Sequence, residues 1–318
     1  VMEAKREGFK EIYIPLENIA EGKLVKDIEV YPVTSLKQLV LHLNGVQKIK
    51  PLPKENILRN LDRAYDVDFS DVKGQPVARR ALEIAAAGGH SILMMGSPGC
   101  GKTMLARRLV TILPPVTEAE ALEITKIYSI VNMLPNAESV MVERPFRSPH
   151  HSVSASALLG GGTYPRPGEV TLSHNGVLFL DELPEFERAA LEMLRQPLED
   201  GEVNISRVRG SMNFPSKFLL VAAQNPCPCG YYGDTLKHCV CKQKAIDNYR
   251  KRISGPLLDR IDMQINLKRV EFSELKAKAS GECSAEIRKR VVKARDVQLE
   301  RFAGSNIYCN AQMTRREV

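Results

Sequence analysis

The string Gly96-Ser97-Pro98-Gly99-Cys100-Gly101-Lys102-Thr103 leaves this chain few folds to choose from. It has the spacing G-x-x-x-x-G-K-[ST], follows the apolar run Ser91-Ile92-Leu93-Met94-Met95 and precedes the helical pattern Met104 to Leu109. Glycines at such a strand-to-helix turn let the backbone curl its N–H groups around a phosphate, and the helix N-terminus adds positive potential. Lys102 then reaches the β- and γ-phosphates of ATP, and Thr103 ligates Mg²⁺. The fold implied is the α/β architecture of a P-loop NTPase, a parallel sheet with helices on both faces. A second apolar run, Gly176-Val177-Leu178-Phe179-Leu180, ends in Asp181-Glu182. Behind a complete phosphate loop this is a Walker B pattern, in which Asp181 holds Mg²⁺ and Glu182 polarises the water attacking the γ-phosphate.

With 318 residues, 43% of them hydrophobic, the chain can bury a sizeable core and is expected to hold more than one domain. No apolar run approaches the roughly 18 residues of a membrane span and no signal-peptide pattern is present, so the expected location is the cytoplasm, away from membranes. The chain starts at Val1 without an initiator Met and reads as a fragment of a longer protein. A net charge of +7 and a pI near 9.0 favour an anionic partner beyond the nucleotide, with nucleic acid first among them. Seven cysteines in an intracellular NTPase argue against a disulfide framework. Four of them, Cys227-x-Cys229 and Cys239-x-Cys241, fall in one short loop and suffice for a closed tetrahedral Zn²⁺ site, with His238 a possible substitute ligand and four reduced thiols the alternative.

Along the chain, residues 1–50 form a small α/β unit, with strands at Glu11–Ile14 and Ile28–Tyr31 and a helix from Ser35 to Leu43. Residues 51–70, opened by Pro51-Leu52-Pro53, read as a linker. The nucleotide-binding core spans 71–270, with the Cys-rich insertion at 226–242, and 271–318 begin a C-terminal helical lid. Within the core, a helix starts at Pro76 and stops at Gly88-Gly89, and residues 117 to 131 are helical. His150-His151 lacks a third metal ligand at useful spacing and is assigned a hydrogen-bonding or phosphate-proximal role. Residues 201–210 alternate as a half-buried strand of a hairpin, whereas Phe218 to Ala223 are continuously apolar, as in a central parallel strand. That strand ends at Gln224-Asn225, where nucleotide-binding sheets place polar groups on their ligands. Ser284 is expected to cap a helix whose stripe Ile287, Val291, Ala294 and Phe302 is broken by Gln298.

The phosphate loop, the Asp-Glu strand, a strand-tip Asn and Leu257-Leu258-Asp259-Arg260, in that order, resemble the AAA+ ATPases. The strings Ala81 to His90, Arg147-Ser148-Pro149-His150-His151, Asp181-Glu182-Leu183-Pro184-Glu185-Phe186 and Gln224-Asn225-Pro226-Cys227-Pro228-Cys229-Gly230 are together similar to the magnesium-chelatase-related ComM/YifB subfamily. The resemblance implies that Asn225 orients the attacking water, that Arg260 is an arginine finger offered to a neighbouring subunit, with an ordinary salt bridge to Asp259 or Asp262 as the alternative, and that the protein forms a hexameric ring. It also implies nucleotide contacts from Val72 and Met104 beside the loop residues Gly96, Ser97, Pro98, Gly99, Cys100, Gly101, Lys102 and Thr103. Residues 160–172 and 202–215 would be inserts lining a DNA-translocating pore; Arg166 is expected on phosphates there, as are Arg207 and Arg209, which strand alternation puts on one face, with surface ion pairs to Glu199, Asp200 or Glu202 the alternative for these two. The activity implied is that of a helicase promoting branch migration. Residues 1–50 resemble the C-terminal end of a Lon-protease-like domain, through Gly8-Phe9-Lys10, Pro15, Asn18 and Glu29-Val30-Tyr31-Pro32-Val33, without its catalytic dyad. The family's sensor-2 arginine is expected beyond Val318. A magnesium-chelatase ATPase subunit and a scaffold with a degenerate site are the rivals. The Cys-rich insertion and Lon-like stretch argue against the first, and the intact Lys102, Asp181, Glu182, Asn225 and Arg260 against the second.

Overall fold

The computed structural model describes every residue except 24, 54–64, 135–139, 163–164, 208–209, 271–280, 306, 315–316 and 318. Most of the expected linker, the start of the expected lid and Arg209 therefore lie outside the described residues. The chain divides into two compact units, Val1–Arg63 with Val116–Glu143, and Ala64–Pro115 with Arg144–Val318.

In the first unit β1 (Glu11–Pro15) and β2 (Glu29–Val33) pair in parallel, with Glu11 opposite Glu29 and Pro15 opposite Val33. Parallel pairing requires a crossover of about a dozen residues, and the helix Ile19–Lys23 lies in it. Ile14, Val25, Ile28 and Val30 form the small core, while Tyr13 stacks on Tyr31 at 5.3 Å between ring centroids. The helix Glu118–Ile130 also belongs here; Thr117 accepts from the N–H of Glu120, and the Glu120 carboxylate accepts the N–H of Thr117 in return. Such reciprocal capping satisfies donors that helix geometry leaves unpaired.

The second unit is built on a sheet. Its strands, in chain order, are β3 (Ile92–Gly96), β4 (Phe146–Arg147), the short pair β5 (Gly160–Gly161) and β6 (Arg166–Pro167), β7 (Val177–Leu180), the hairpin β8 (Glu202–Arg207) and β9 (Gly210–Pro215), β10 (Leu219–Gln224) and β11 (Met263–Leu267). Five of these form one all-parallel sheet in the order β11-β3-β10-β7-β4. Alternate residues of each strand enter different cores, because side chains along a strand alternate faces. Ile92, Met94, Val177, Phe179, Val221 and Ala223 pack on one face beneath Leu82, Leu105 and Val291, and Leu93, Leu178, Leu180, Leu220 and Ala222 pack on the other with Leu191, Leu194 and Leu257. Burial on both faces is why these strands read as unbroken apolar runs.

The helix Pro76–Gly88 stops at Gly89, held at φ 74°, where a Cβ would meet Cys309 Sγ at 2.7 Å. The helix Ser284–Arg301 packs on Pro76–Gly88 and on Lys102–Ile112. Ser284 does not cap it, contrary to the sequence reading. Cys283 occupies the cap position, and Ser284 is instead buried, its hydroxyl taking the N–H of Phe69 at 2.8 Å and meeting Thr111 Oγ1 at 2.7 Å. The Asp68 carboxylate satisfies the exposed end of that helix from across the chain, accepting the N–H of Ser284 at 3.1 Å. Gln298 breaks the apolar stripe for a related reason: buried, it donates to the Ala87 carbonyl at 3.1 Å and accepts the N–H of Asn310 at 2.8 Å.

Candidate functional site

The strand order decides which side chains can meet. β10 lies between β3 and β7, so its C-terminal tip stands between the phosphate loop and the two carboxylates that end β7. Where the order of strands reverses in a parallel sheet, a crevice opens at the carboxyl ends, and ligands bind there in sheets of this kind. The loop itself turns at Gly99 and Gly101, held at φ 79° and 95°, a region that residues with a Cβ enter only at a cost. Lys102 begins the following helix, and its Nζ donates to the carbonyls of Gly96 at 2.6 Å and Ser97 at 3.2 Å and to Asn225 Oδ1 at 3.1 Å. Thr103 Oγ1 donates to Asp181 Oδ2 at 2.7 Å. A lysine, a hydroxyl, a carboxylate and an amide that are scattered over about 120 positions thus share one crevice. Thr103 and Asp181 offer the oxygen ligands that Mg²⁺ takes alongside nucleotide phosphates.

Glu182 follows at φ 52°, and its N–H donates to Asp181 Oδ1 at 2.9 Å. A left-handed conformation costs a non-glycine residue about 1–3 kcal/mol, and such strain collects where geometry matters more than stability. The strained turn aims the Glu182 carboxylate at His151, whose Nδ1 lies 3.4 Å from it. The His151 ring lies tilted against His150 at 4.0 Å and meets Phe186 edge-on, while His150 Nδ1 pairs with Ser152 Oγ at 2.8 Å. One imidazole of the pair thus faces the carboxylate assigned to water activation, and the other bonds Ser152. Buried Tyr249 lies on the same side. Its phenol is pushed up to about 12 by burial and then by Glu185 and Glu182, which keeps it neutral.

Other expected residues fall in different surroundings. Cys100 is buried, and burial pushes its thiol above the ordinary range. Met104 is partly buried against the core, and Val72 is fully buried within it, so the Val72 side chain is covered by Phe69 and its neighbours. Gln75, not picked out from the sequence, donates through Nε2 to the Cys100 carbonyl at 3.2 Å and to the Lys268 carbonyl, tying the entry of the helix Pro76–Gly88 to the loop. Arg260 pairs with Glu199, Nε to Oε1 at 2.6 Å, and not with the adjacent Asp259 or Asp262. The Asp262 carboxylate instead accepts the N–H of Ser91 at 2.9 Å. Arg166 is exposed on β6, and Arg207 closes β8 opposite Gly210.

Directly after Asn225 the chain enters the cysteine loop. The sulfurs of Cys227, Cys229, Cys239 and Cys241 all lie within 4.8 Å of one another, three of the pairs at 3.4–3.6 Å. Tetrahedral thiolates at about 2.3 Å from zinc are about 3.8 Å apart, so the donor set and its spacing fit that ion. Backbone N–H groups point at the sulfurs, from Tyr232 to Cys227 at 3.3 Å and from Cys241 to Cys239 at 3.4 Å. Those of Tyr231 and Val240 draw the Cys229 thiol down to about 6, while Cys239, pushed up to about 12, and Cys241, also pushed up, keep their protons beside it, so without a metal the cluster does not carry four thiolates. Asp234 in the same loop accepts the Ser97 hydroxyl and the N–H groups of Leu236 at 2.8 Å and Lys237 at 3.0 Å. These contacts, Ser97 first, hold its carboxyl down at about 2. No sequence spacing links position 234 to position 97, so only the fold reveals that they meet.

This sheet order, with the phosphate loop on one strand and paired carboxylates on the next but one, defines a P-loop domain of the AAA+ type. The sequence model of the family described as "Magnesium chelatase, subunit ChlI" matches residues 68–275, and the chain belongs to that family. It is 44% identical to the competence protein ComM of Haemophilus influenzae over 99% of this chain and 62% of that protein. With YifB of Salmonella typhimurium the identity is 42%, over 99% of this chain and 60% of the relative. The magnesium-chelatase 38 kDa subunit of Rhodobacter capsulatus is 26% identical over 50% of each chain. The chain spans about three fifths of the length of the ComM and YifB relatives it matches. Among the described residues no helix is long and apolar enough to cross a membrane.

Proposed function

We propose that this chain carries the ATP-hydrolysing motor of a ComM-type protein that works in the cytoplasm as a hexameric ring on DNA, a helicase driving branch migration. The observation that carries the ATPase half is the meeting of Lys102, Thr103, Asp181 and Asn225 at one crevice, with Glu182 beside them. Lys102 binds the β- and γ-phosphates, Thr103 and Asp181 hold Mg²⁺, Asn225 orients the attacking water, and Glu182 takes its proton. Between turnovers that carboxylate accepts from His151 Nδ1, so the base is positioned from the edge of the sheet. Arg260 completes a neighbour's site; its pairing with Glu199 keeps the guanidinium at the surface, poised for exchange between subunits. Zinc on Cys227, Cys229, Cys239 and Cys241 is structural, since four protein ligands leave it no open position.

The DNA half rests on the whole-chain likeness to ComM, on the positive charge, and on the placement of Arg166 and Arg207 on short strands outside the main sheet. The chelatase relative covers only half of this chain, which favours the ComM-type reading over a chelatase subunit. The test is strand exchange by the full-length protein on a three-strand branched DNA with ATP. Movement of the branch with ATP, and none with a non-hydrolysable analogue, is the expected result. ATP turnover without any branch movement on forked or three-strand substrates would remove the helicase assignment and leave the ATPase one.

A further inference from the structure

The loop that carries the four cysteines does not stand clear of the nucleotide site; it returns to the phosphate loop twice. At the first return Gly230 is held at φ +84°, and a Cβ there would meet Pro98 Cδ and Cγ at 2.7 Å, so the cysteine turn lies flush on the phosphate-loop proline. At the second, the Asp234 carboxylate faces the Ser97 hydroxyl, with the Arg269 guanidinium 3.8 Å away and its own side chain only 2% exposed. Ser97 and Pro98 are the second and third residues of the loop that must cradle phosphate. Residues 226–242 contain no helix or strand; the backbone bonds at these two residues are short turns, from the Gly230 N–H to the Cys227 carbonyl at 2.9 Å and from the Asp234 N–H to the Tyr231 carbonyl at 3.1 Å. The sulfur cluster is what closes these turns on one another: Cys229 immediately precedes Gly230, and Asp234 lies on the segment closed between Cys229 and Cys239.

We propose that the cysteine knuckle is the outer wall of the nucleotide site: a zinc ion on its four thiolates fixes Gly230 and Asp234, which hold Pro98 and Ser97 in their phosphate-binding shape. Metal occupancy then sets nucleotide affinity, and Asp234 is a positioning residue that acts through Ser97. The proposal rests on the ATP-site reading given above. Physically it is preorganisation. A loop already shaped for phosphate spends less of its binding energy on ordering. Coupling of this kind is reciprocal, so bound nucleotide must raise the equilibrium zinc affinity by the factor that metal strengthens nucleotide binding. Ser97 contributes its backbone to the cradle whatever its side chain is, which separates the hydroxyl's contact with Asp234 from the loop's own shape.

The test uses the full-length protein and a fluorescent ATP analogue. Dissociation constants are measured for protein loaded with zinc, stripped with a chelator and reloaded, with far-UV circular dichroism recorded for each. Stripping is expected to weaken nucleotide binding about tenfold or more, and zinc to restore it; ATP should lower the equilibrium affinity of a chromogenic chelator for the protein's zinc by the same factor. Asp234→Ala, with its zinc content unchanged, is expected to weaken binding about five- to tenfold, and Ser97→Ala about as much. The double variant should then be no weaker than the weaker single one, because both changes break one interaction. Nucleotide affinity that moves less than twofold on stripping, with the dichroism spectrum kept, overturns the proposal and leaves the ATP site standing. Fully additive single variants overturn the role of Asp234. Zinc-loaded protein that binds no nucleotide at all overturns the ATP-site reading together with this proposal.

Discussion

Replacement of Glu182 by Gln isolates the chemistry from the binding site. Gln keeps the size and the left-handed backbone at φ 52°, and the N–H donated to Asp181 Oδ1 is untouched. Lys102, Thr103 and Asp181 keep their partners, so ATP affinity should stay within about threefold of wild type. What disappears is a carboxylate able to take a proton from water, worth about 10² to 10⁴ in rate. That corresponds to about 3–5 kcal/mol of barrier, at 1.36 kcal/mol per tenfold. Steady-state phosphate release on the full-length protein, with nucleotide affinity measured in parallel, reads both quantities. Glu182→Gly serves as the control for backbone strain: it should abolish turnover too, while leaving stability unchanged or raising it by about 1 kcal/mol, because glycine occupies that region freely. Turnover by Glu182→Gln within threefold of wild type would refute the assignment of the base.

Lys102→Ala is expected to weaken ATP binding itself, in contrast to Glu182→Gln, as a nucleotide titration would show. Arg260→Ala should lose turnover about 10³-fold or more, and mixing it with Glu182→Gln should recover part of the rate at shared interfaces of verified mixed rings. Asp68→Ala removes the acceptor of the Ser284 and Ser70 N–H groups and should cost about 1–2 kcal/mol in urea unfolding. Although burial works against it, the N–H groups of Ser70 and Ser284 hold the Asp68 carboxyl below its ordinary 3.8; its contribution is therefore full above that pH and lost as pH falls through the lowered value. Removing Arg166, Arg207 and Arg209 together should make the log–log salt dependence of DNA binding shallower by about 0.7–0.9 for each phosphate no longer neutralised, without changing sequence preference.

How much of this was legible in the sequence follows from the range of each interaction. The phosphate loop, β7 with its two carboxylates and the continuously apolar β10 are local patterns, and each folds as its periodicity requires. The Asn225 placement was also legible, since a polar residue ending a doubly buried strand has few other places to go. The interactions that hold these pieces were not, because they join residues with no fixed spacing. Asp68 reaches Ser284, Gln298 reaches Ala87, Gln75 reaches Cys100, and Asp234 reaches Ser97. The error at Ser284 has the same origin: local propensity favours serine as a cap, but Asp68 supplies that acceptor from 216 positions away. Arg260 offers a parallel case, where adjacent aspartates were the obvious partners and Glu199, on a different segment, is the one it meets.

The central claim is that this crevice hydrolyses ATP in the service of work on DNA, and the most direct measurement is ATP turnover by the full-length protein with no DNA and with single-stranded, duplex and forked DNA. Turnover that rises several-fold with one of these DNAs and falls to background in Glu182→Gln with the same DNA is the predicted result. Turnover that is the same with and without every DNA form, while still abolished by Glu182→Gln, would contradict the DNA half of the account; no turnover under any of these conditions, from protein that binds ATP, would contradict the whole of it.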